Sequence, residues 1–194
     1  MNTDFEKFLS GKKLFLVEKI SKGWSSEIFL VKNQRGKKFA LKIEKKTSPR
    51  IRMAEKEAEN LRCANAQGIG PKLAGFDFEK RIVLMEFIEG IPFGKWFFQN
   101  PSKKQLQKCI DSLLEQAKKL DAAGLSHGQL AGKGANIIVK RNLRPVIIDF
   151  EKASQKRKCH NSNQLKSFLF RNPNSEIAKK VKETLGQDFH SSAR

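Results

Sequence analysis

Apolar and polar residues follow a period of two through the first quarter of the chain and then switch to a helical period. The runs "LFLVEKI" (14–20) and "SEIFLVK" (26–32) are separated by Ser21-Lys22-Gly23, and the stretch from Glu18 to Ile43 reads as strands. A turn at Asn33-Gln34-Arg35-Gly36 leads into "KKFALKIE". There Phe39, Leu41 and Ile43 share one face, and Ala40 and Lys42 share the other. From Pro49 to about Gln67 the apolar positions Ala54, Ala58, Leu61 and Ala64 predict a helix that Gly68 closes. Glu57 precedes Leu61 by four residues and Ala64 by seven, so it lies on or beside the apolar stripe. "PKLAGFDFEKRIVLMEFIEG" then predicts a hairpin whose second strand, Arg81 to Phe87, runs into Glu89-Gly90. The segment 1–90 is therefore expected to form a five-stranded sheet with one helix.

The pattern changes after Gly90. Ser102 to Gln105 matches a capping box. Leu106, Ile110, Leu113, Leu114, Ala117 and Leu120 follow at helical spacing up to Gly124. The loop "LSHGQLAGKGA" comes next, then "NIIVK" and "RPVIIDF" as a hairpin turning near Arg141–Leu143. Two further helices are predicted near Ser162–Phe170 and Asn174–Leu185. The expected organisation is one α+β domain of two lobes, 1–90 and a reduced, mainly helical 91–194.

Composition narrows the classes. No apolar run reaches the ~18–20 residues of a membrane span, and "MNTDFEKFLSGKK" has no apolar core followed by a small-residue cleavage site. Cys63, Cys109 and Cys159 are odd in number and far apart, which fits reduced thiols in a cytoplasmic protein. No histidine has metal-ligand spacing. The net charge of +19 points to anionic partners: nucleotide, RNA or an acidic protein. Nine Lys/Arg against one acid, Glu176, fall between Lys152 and Lys182, which reads either as a solvated lysine-rich face or as an RNA-facing one.

Three positions invite chemistry. Lys42 sits mid-strand, where a buried cation needs a partner, and Glu57 is on the helix expected to pack on the same sheet. Taken alone, the two also fit an ordinary surface lysine and glutamate. Asp149 ends a continuous apolar strand, a position that opens onto a cleft edge, and the hairpin brings Asn136 beside it. A carboxylate and an amide oxygen are hard ligands suited to Mg²⁺. Backbone amides around Ser21 and Gly23 could face phosphate oxygens, although one glycine also fits a plain hairpin.

Taken in order, the glycine-containing turn, "ALKIE", "KEAENL", "VLMEFIEG", "HGQL", Asn136 and "DFE" resemble the protein-kinase-like superfamily. The resemblance covers nearly the whole chain. The small C-terminal half is similar to that of the RIO kinases, of the small kinase of the archaeal KEOPS complex, and of short archaeal proteins described as predicted serine/threonine kinases. It implies ATP and Mg²⁺ as cofactors. Lys42 would hold the α/β-phosphates and Glu57 would orient it. Ser21, Gly23, Ile28, Ala40 and the gatekeeper Met85 would surround the nucleotide. Backbone groups of Glu86 and Ile88 would meet adenine, and Asn136 and Asp149 would bind Mg²⁺.

The chain departs from the family pattern at one decisive place. His127-Gly128-Gln129-Leu130 stands where His-x-Asp-Leu is usual, and Asn136 lies seven residues after Gln129 instead of five after the aspartate. Glutamine cannot act as a general base; it can orient a hydroxyl or a water. "DFE" replaces "DFG", and no "APE" segment is present. The leading expectation is an ATP- and Mg²⁺-dependent kinase acting on serine or threonine hydroxyls of a protein, with Gln129, Asp149 and Lys42 as its catalytic residues. The alternative is a nucleotide-binding pseudokinase or ATPase that serves as an RNA- or RNP-associated scaffold. A small-molecule phosphotransferase ranks last, because the chain has little room for substrate-binding helices.

Overall fold

The computed structural model describes residues 3–48, 52–130 and 134–186. The alternating segments become β1 (Leu14–Lys22), β2 (Ser26–Asn33), β3 (Lys38–Glu44), β4 (Leu73–Asp77) and β5 (Ile82–Glu86), an antiparallel sheet in the order β1-β2-β3-β5-β4. Asn33 makes the β2–β3 turn, because its Oδ1 accepts the N–H groups of Arg35 and Lys37. Two helices cover the two faces of this sheet. One, α1 (Thr3–Gly11), is absent from the sequence-based reading. Its Phe5, Phe8 and Leu9, spaced three and four apart, bury against Val31, Leu41, Ile82 and Leu84. This is the face on which Phe39, Leu41 and Ile43 were expected to lie together.

The other helix, α2 (Met53–Ala66), packs on the opposite face through Ala54, Ala58, Leu61 and Ala64. It begins four residues later than the sequence suggests. Arg52, directly before it, is in the left-handed region at φ 61°, and Pro49 lies outside the described residues. The helix start is fixed from a distance, by the buried Glu44 at the end of β3, whose Oε2 accepts the Ala54 N–H at 3.0 Å.

The second half carries β6 (Ile91–Pro92), α3 (Phe93–Phe97), α4 (Lys103–Ala122), β7 (Ile137–Val139), β8 (Pro145–Ile147), α5 (Asn161–Lys166) and α6 (Glu176–Leu185). A 3₁₀ turn spans Phe150–Lys152 and a π turn spans Ser167–Arg171. The capping box on α4 forms as predicted, with Ser102 and Gln105 each bonding the other's backbone N–H. All six apolar positions read for α4 are buried. The hairpin β7–β8 forms too, and β6 adds a third strand in the order β6-β7-β8. Gly90 leads into β6 because a Cβ there would run into the Val139 carbonyl. One apolar core joins the halves, from Leu61, Val83 and Met85 to Leu106, Ile110, Ile147 and Phe150. No helix among the described residues is long and apolar enough to cross a membrane.

Candidate functional site

Strand register decides which side chains meet. Across β1, β2, β3 and β5 the partners run Ser21–Ile28–Lys42–Val83, and two residues along they run Leu30–Ala40–Met85. Residues paired across strands, or two apart along one, share a face. Ser21, Ile28, Ala40, Lys42 and Met85 therefore lie on one face of the sheet, the face that α2 covers in part. Glu86 follows Met85, so its side chain turns to the other side. There its carboxylate accepts the Lys72 N–H, while its own N–H donates to the Lys72 carbonyl at 2.8 Å. Glu86 and Ile88 border a hollow with Asn65, Lys72 and Gln116.

Lys42 is the centre of the site. It is 8% exposed, and its Nζ lies 2.8 Å from Glu57 Oε2 on α2 and 2.9 Å from Asp149 Oδ1 after β8. A third carboxylate, Glu151 Oε2, is 3.1 Å away. Burial alone would lower the Lys42 pKa, but the fields of Glu57, Asp149 and Glu151 outweigh it and keep the ammonium charged far above neutral pH. Burial pushes the Glu57 carboxyl up, against the pull of Lys42, and the two neighbouring carboxylates add to the upward push. One carboxylate oxygen from each of Glu57, Asp149 and Glu151 lies within 4.8 Å of the other two.

The backbone after β8 builds this cluster. Asp149 is in the left-handed region at φ 65° and ψ 71°, a costly conformation for a residue with a Cβ and one found at functional sites. It turns the chain into the 3₁₀ turn and so places both Asp149 and Glu151 at Lys42. Asn60 on α2 clamps that turn, donating to the carbonyls of Phe150 at 3.2 Å and Ala153 at 2.9 Å. The helix that carries Glu57 and the segment that carries the acids are thus tied to each other.

The loop before β7 holds the other expected residues. Asn136 carbonyl accepts the Ile148 N–H at 2.9 Å, which sets Asn136 beside the approach to Asp149. Its Nδ2 donates to the Gln129 carbonyl at 3.3 Å. Gln129 Oε1 is buried without a hydrogen-bond partner among the described residues, and residues 131–133 lie outside them. His127 is fully buried. Its Nε2 donates to the Ile148 carbonyl at 3.0 Å, and its ring packs on Phe150. Burial pushes its pKa down, so it is a neutral brace. The Gly23 N–H donates to the Ser26 carbonyl at 2.9 Å and Lys45 Nζ donates to the Gly23 carbonyl at 2.6 Å, which ties down the expected phosphate turn. Trp24 at its tip is 82% exposed.

Two parts of the site escape the sequence-based reading. Glu151 was visible only as an acid in the third position of "DFE". The buried Asn161, which accepts the His127 N–H at 2.8 Å and donates to Asp121 and to the Leu125 carbonyl, each at 2.8 Å, had no sequence signal.

Known proteins share both the sequence pattern and the fold. An uncharacterized protein of Methanocaldococcus jannaschii is 33% identical over 101 residues, covering 52% of this chain and 83% of that protein. The autoinhibited serine kinase domain of the giant muscle protein titin superposes with a TM-score of 0.62 at 19% identity, over 76% of this chain and 47% of that one. The chain thus spans about half the length of that kinase chain, and the likeness establishes the fold. The sequence profile of the RIO domain matches residues 12–172, from just before β1 to the end of the π turn, and with so much of it matched the chain belongs to the RIO-domain family and is an atypical, kinase-like protein.

Proposed function

We propose that the protein is a small ATP- and Mg²⁺-dependent kinase that transfers the γ-phosphate to a serine or threonine hydroxyl of a protein. The observation that carries this reading is the Lys42 ammonium, fixed by Glu57 at 2.8 Å and beside Asp149 at 2.9 Å, on the face that also presents Ile28, Ala40 and Met85. Those apolar residues would bound the adenine, with backbone groups of Glu86 and Ile88 at its edge. The nucleotide would lie between 1–90 and 91–194. Lys42 would meet the α/β-phosphates, and Ser21 and Gly23 would lie near them. Asp149 and Asn136 offer the oxygen donors that Mg²⁺ prefers. When bound, the ion would neutralise charge on the phosphate oxygens.

Gln129 has a positioning role in this reading. Its buried Oε1 has no partner among the described residues, and an incoming hydroxyl that donates to it would be oriented without being deprotonated. Losing a general base costs ~10²–10⁴-fold in rate, so turnover is expected to be slow. Labelled-ATP transfer, run beside Asp149→Ala, is the test, with ATP-induced thermal stabilisation measured on the same samples. Transfer that survives Asp149→Ala, or a melting curve unmoved by millimolar Mg²⁺-ATP, overturns the reading. Gln129→Ala is expected to lower single-turnover transfer and leave ATP binding intact, because the contact is made at the transition state. Gln129→Asp adds a base and should raise the rate if the side chain is aimed at the acceptor.

A second reading has its own observation. A groove of about 1050 Å³ between α2 and residues 151–157 is bordered by Lys56, Lys152, Lys156 and Arg157. A nucleotide-binding scaffold would use it to hold RNA. Affinity for an RNA oligonucleotide should then fall steeply with salt and fall again on charge reversal at Lys156, Arg157 and Lys158. No RNA binding at low salt removes this reading.

A further inference from the structure

An ammonium has three N–H donors and no acceptor. Lys42 has three carboxylates around it, at 2.8, 2.9 and 3.1 Å, so every donor has a claimant within the protein. A phosphate oxygen can reach Lys42 only by displacing one of them. Glu57 is 2% exposed on α2, and Asn60 ties that helix to the Phe150–Lys152 turn, so it has nowhere to go. Asp149 is the partly exposed acid at the cleft edge. Glu151 is different. It reaches Lys42 from the 3₁₀ turn, and it also borders the open groove lined by Lys56, Lys152, Lys156 and Arg157. It is the one acid of the three that lines this groove, which carries four cations against one other acid, Glu59.

Resting on the nucleotide-site reading above, we propose that Glu151 is a positioning residue that makes nucleotide binding depend on magnesium. In the nucleotide-free protein it holds the third donor of Lys42 and adds a third acid to a cluster that has one cation. A bare triphosphate must both displace this carboxylate and approach a net negative centre. A triphosphate that arrives with Mg²⁺ brings the charge that compensates the acids. Asp149 is drawn off Lys42, and Glu151 turns toward the lysines of the groove. A glycine at this position would leave Lys42 with two acids and a free donor, so the "DFE" departure has a specific consequence.

The test is the ATP dissociation constant by titration calorimetry, in EDTA and in excess Mg²⁺, for the wild type and Glu151→Gln. The substitution keeps the shape and removes the charge. The expected result is that affinity in EDTA rises about tenfold or more, the factor that ~1.4 kcal/mol corresponds to, while affinity in Mg²⁺ changes less. The ratio of the two constants therefore falls. Glu151→Gly is expected to move the ratio in the same direction, and melting temperatures show that both variants are folded. Unchanged affinity in both buffers overturns the proposal. Affinity lost only in Mg²⁺ also overturns it, by making Glu151 a metal ligand, and affinity lost equally in both overturns it by making Glu151 a structural support. If neither wild type nor variant binds ATP at millimolar concentration with Mg²⁺, the nucleotide site itself is refuted.

Discussion

Two polar clusters are linked through His127, whose N–H meets Asn161 and whose ring packs on Phe150, and they are built on opposite terms. Around Asn161, donors and acceptors match. Its amide donates to Asp121 and to the Leu125 carbonyl, and its oxygen accepts the His127 N–H. Asp121 also accepts the N–H and Oγ–H of Ser162, at 3.0 and 2.6 Å. Burial pushes the Asp121 pKa up, but the hydrogen bonds from Ser162 and Asn161 outweigh it and hold the carboxyl below its usual range. Around Lys42, three carboxylates compete for one ammonium. A matched cluster fixes geometry. A mismatched one stores unfavourable charge that a ligand can relieve. The first therefore braces the "HGQL" loop, and the second is where nucleotide and metal would act.

The comparison breaks most readily at Lys42. Lys42→Met leaves three acids without their cation and should cost about 3–5 kcal/mol near neutral pH, read by urea denaturation. Because the Glu57 pKa is already raised from 4.5 in the folded protein, the folded cluster holds protons more tightly than the unfolded chain. The stability lost by Lys42→Met should therefore return as pH falls and disappear as pH rises. Adding Glu57→Gln to Lys42→Met should restore part of the loss. A pH-independent loss with no rescue would mean that charge mismatch is not what distinguishes this cluster.

A smaller effect is expected from the matched cluster. Asn161→Ala leaves the His127 N–H and the Leu125 carbonyl buried and unpaired, at roughly 2–3 kcal/mol, with ATP binding intact. If it weakens ATP binding as strongly as Lys42→Met does, the two clusters act as one unit.

The smallest effect sharpens the role of His127. Its pKa is lowered from 6.5 by burial, so the unfolded chain takes up the proton first on acidification. Wild-type stability should be complete above about pH 6.5 and fall below it. His127→Gln removes that group, so the stability difference between variant and wild type should shift in favour of the variant between about pH 8 and about pH 5. A difference that does not change with pH would leave His127 exposed to protons in the folded state.

Local regularities were legible because they repeat within a few residues. The apolar runs gave the strands that carry Ile28, Ala40, Lys42 and Met85, and the helical stripe located Glu57; β1 runs on through Ser21, which the sequence places in the segment between two runs. The start of α2 was misread because its first turn is set by Glu44, ten residues before Ala54. Helix α1 has the right spacing in Phe5, Phe8 and Leu9, but one short apolar stripe says little until there is a sheet face for it to cover.

By itself, the sequence determined the order of the main sheet strands, of α2 and α4 and of the β7–β8 hairpin, and it placed Lys42 on a strand, Glu57 on a helix and Asp149 at a strand end, since hydrophobic period and strand ends follow from neighbouring residues. Only the tertiary structure decided that Glu151 joins them. That depends on Asp149 holding a left-handed backbone at φ 65° and on Asn60 clamping the following turn to α2 from ninety residues away. The same holds for Asn161, thirty-four residues from His127. A side chain's partner across such distances is set by packing of whole elements, which no local pattern records.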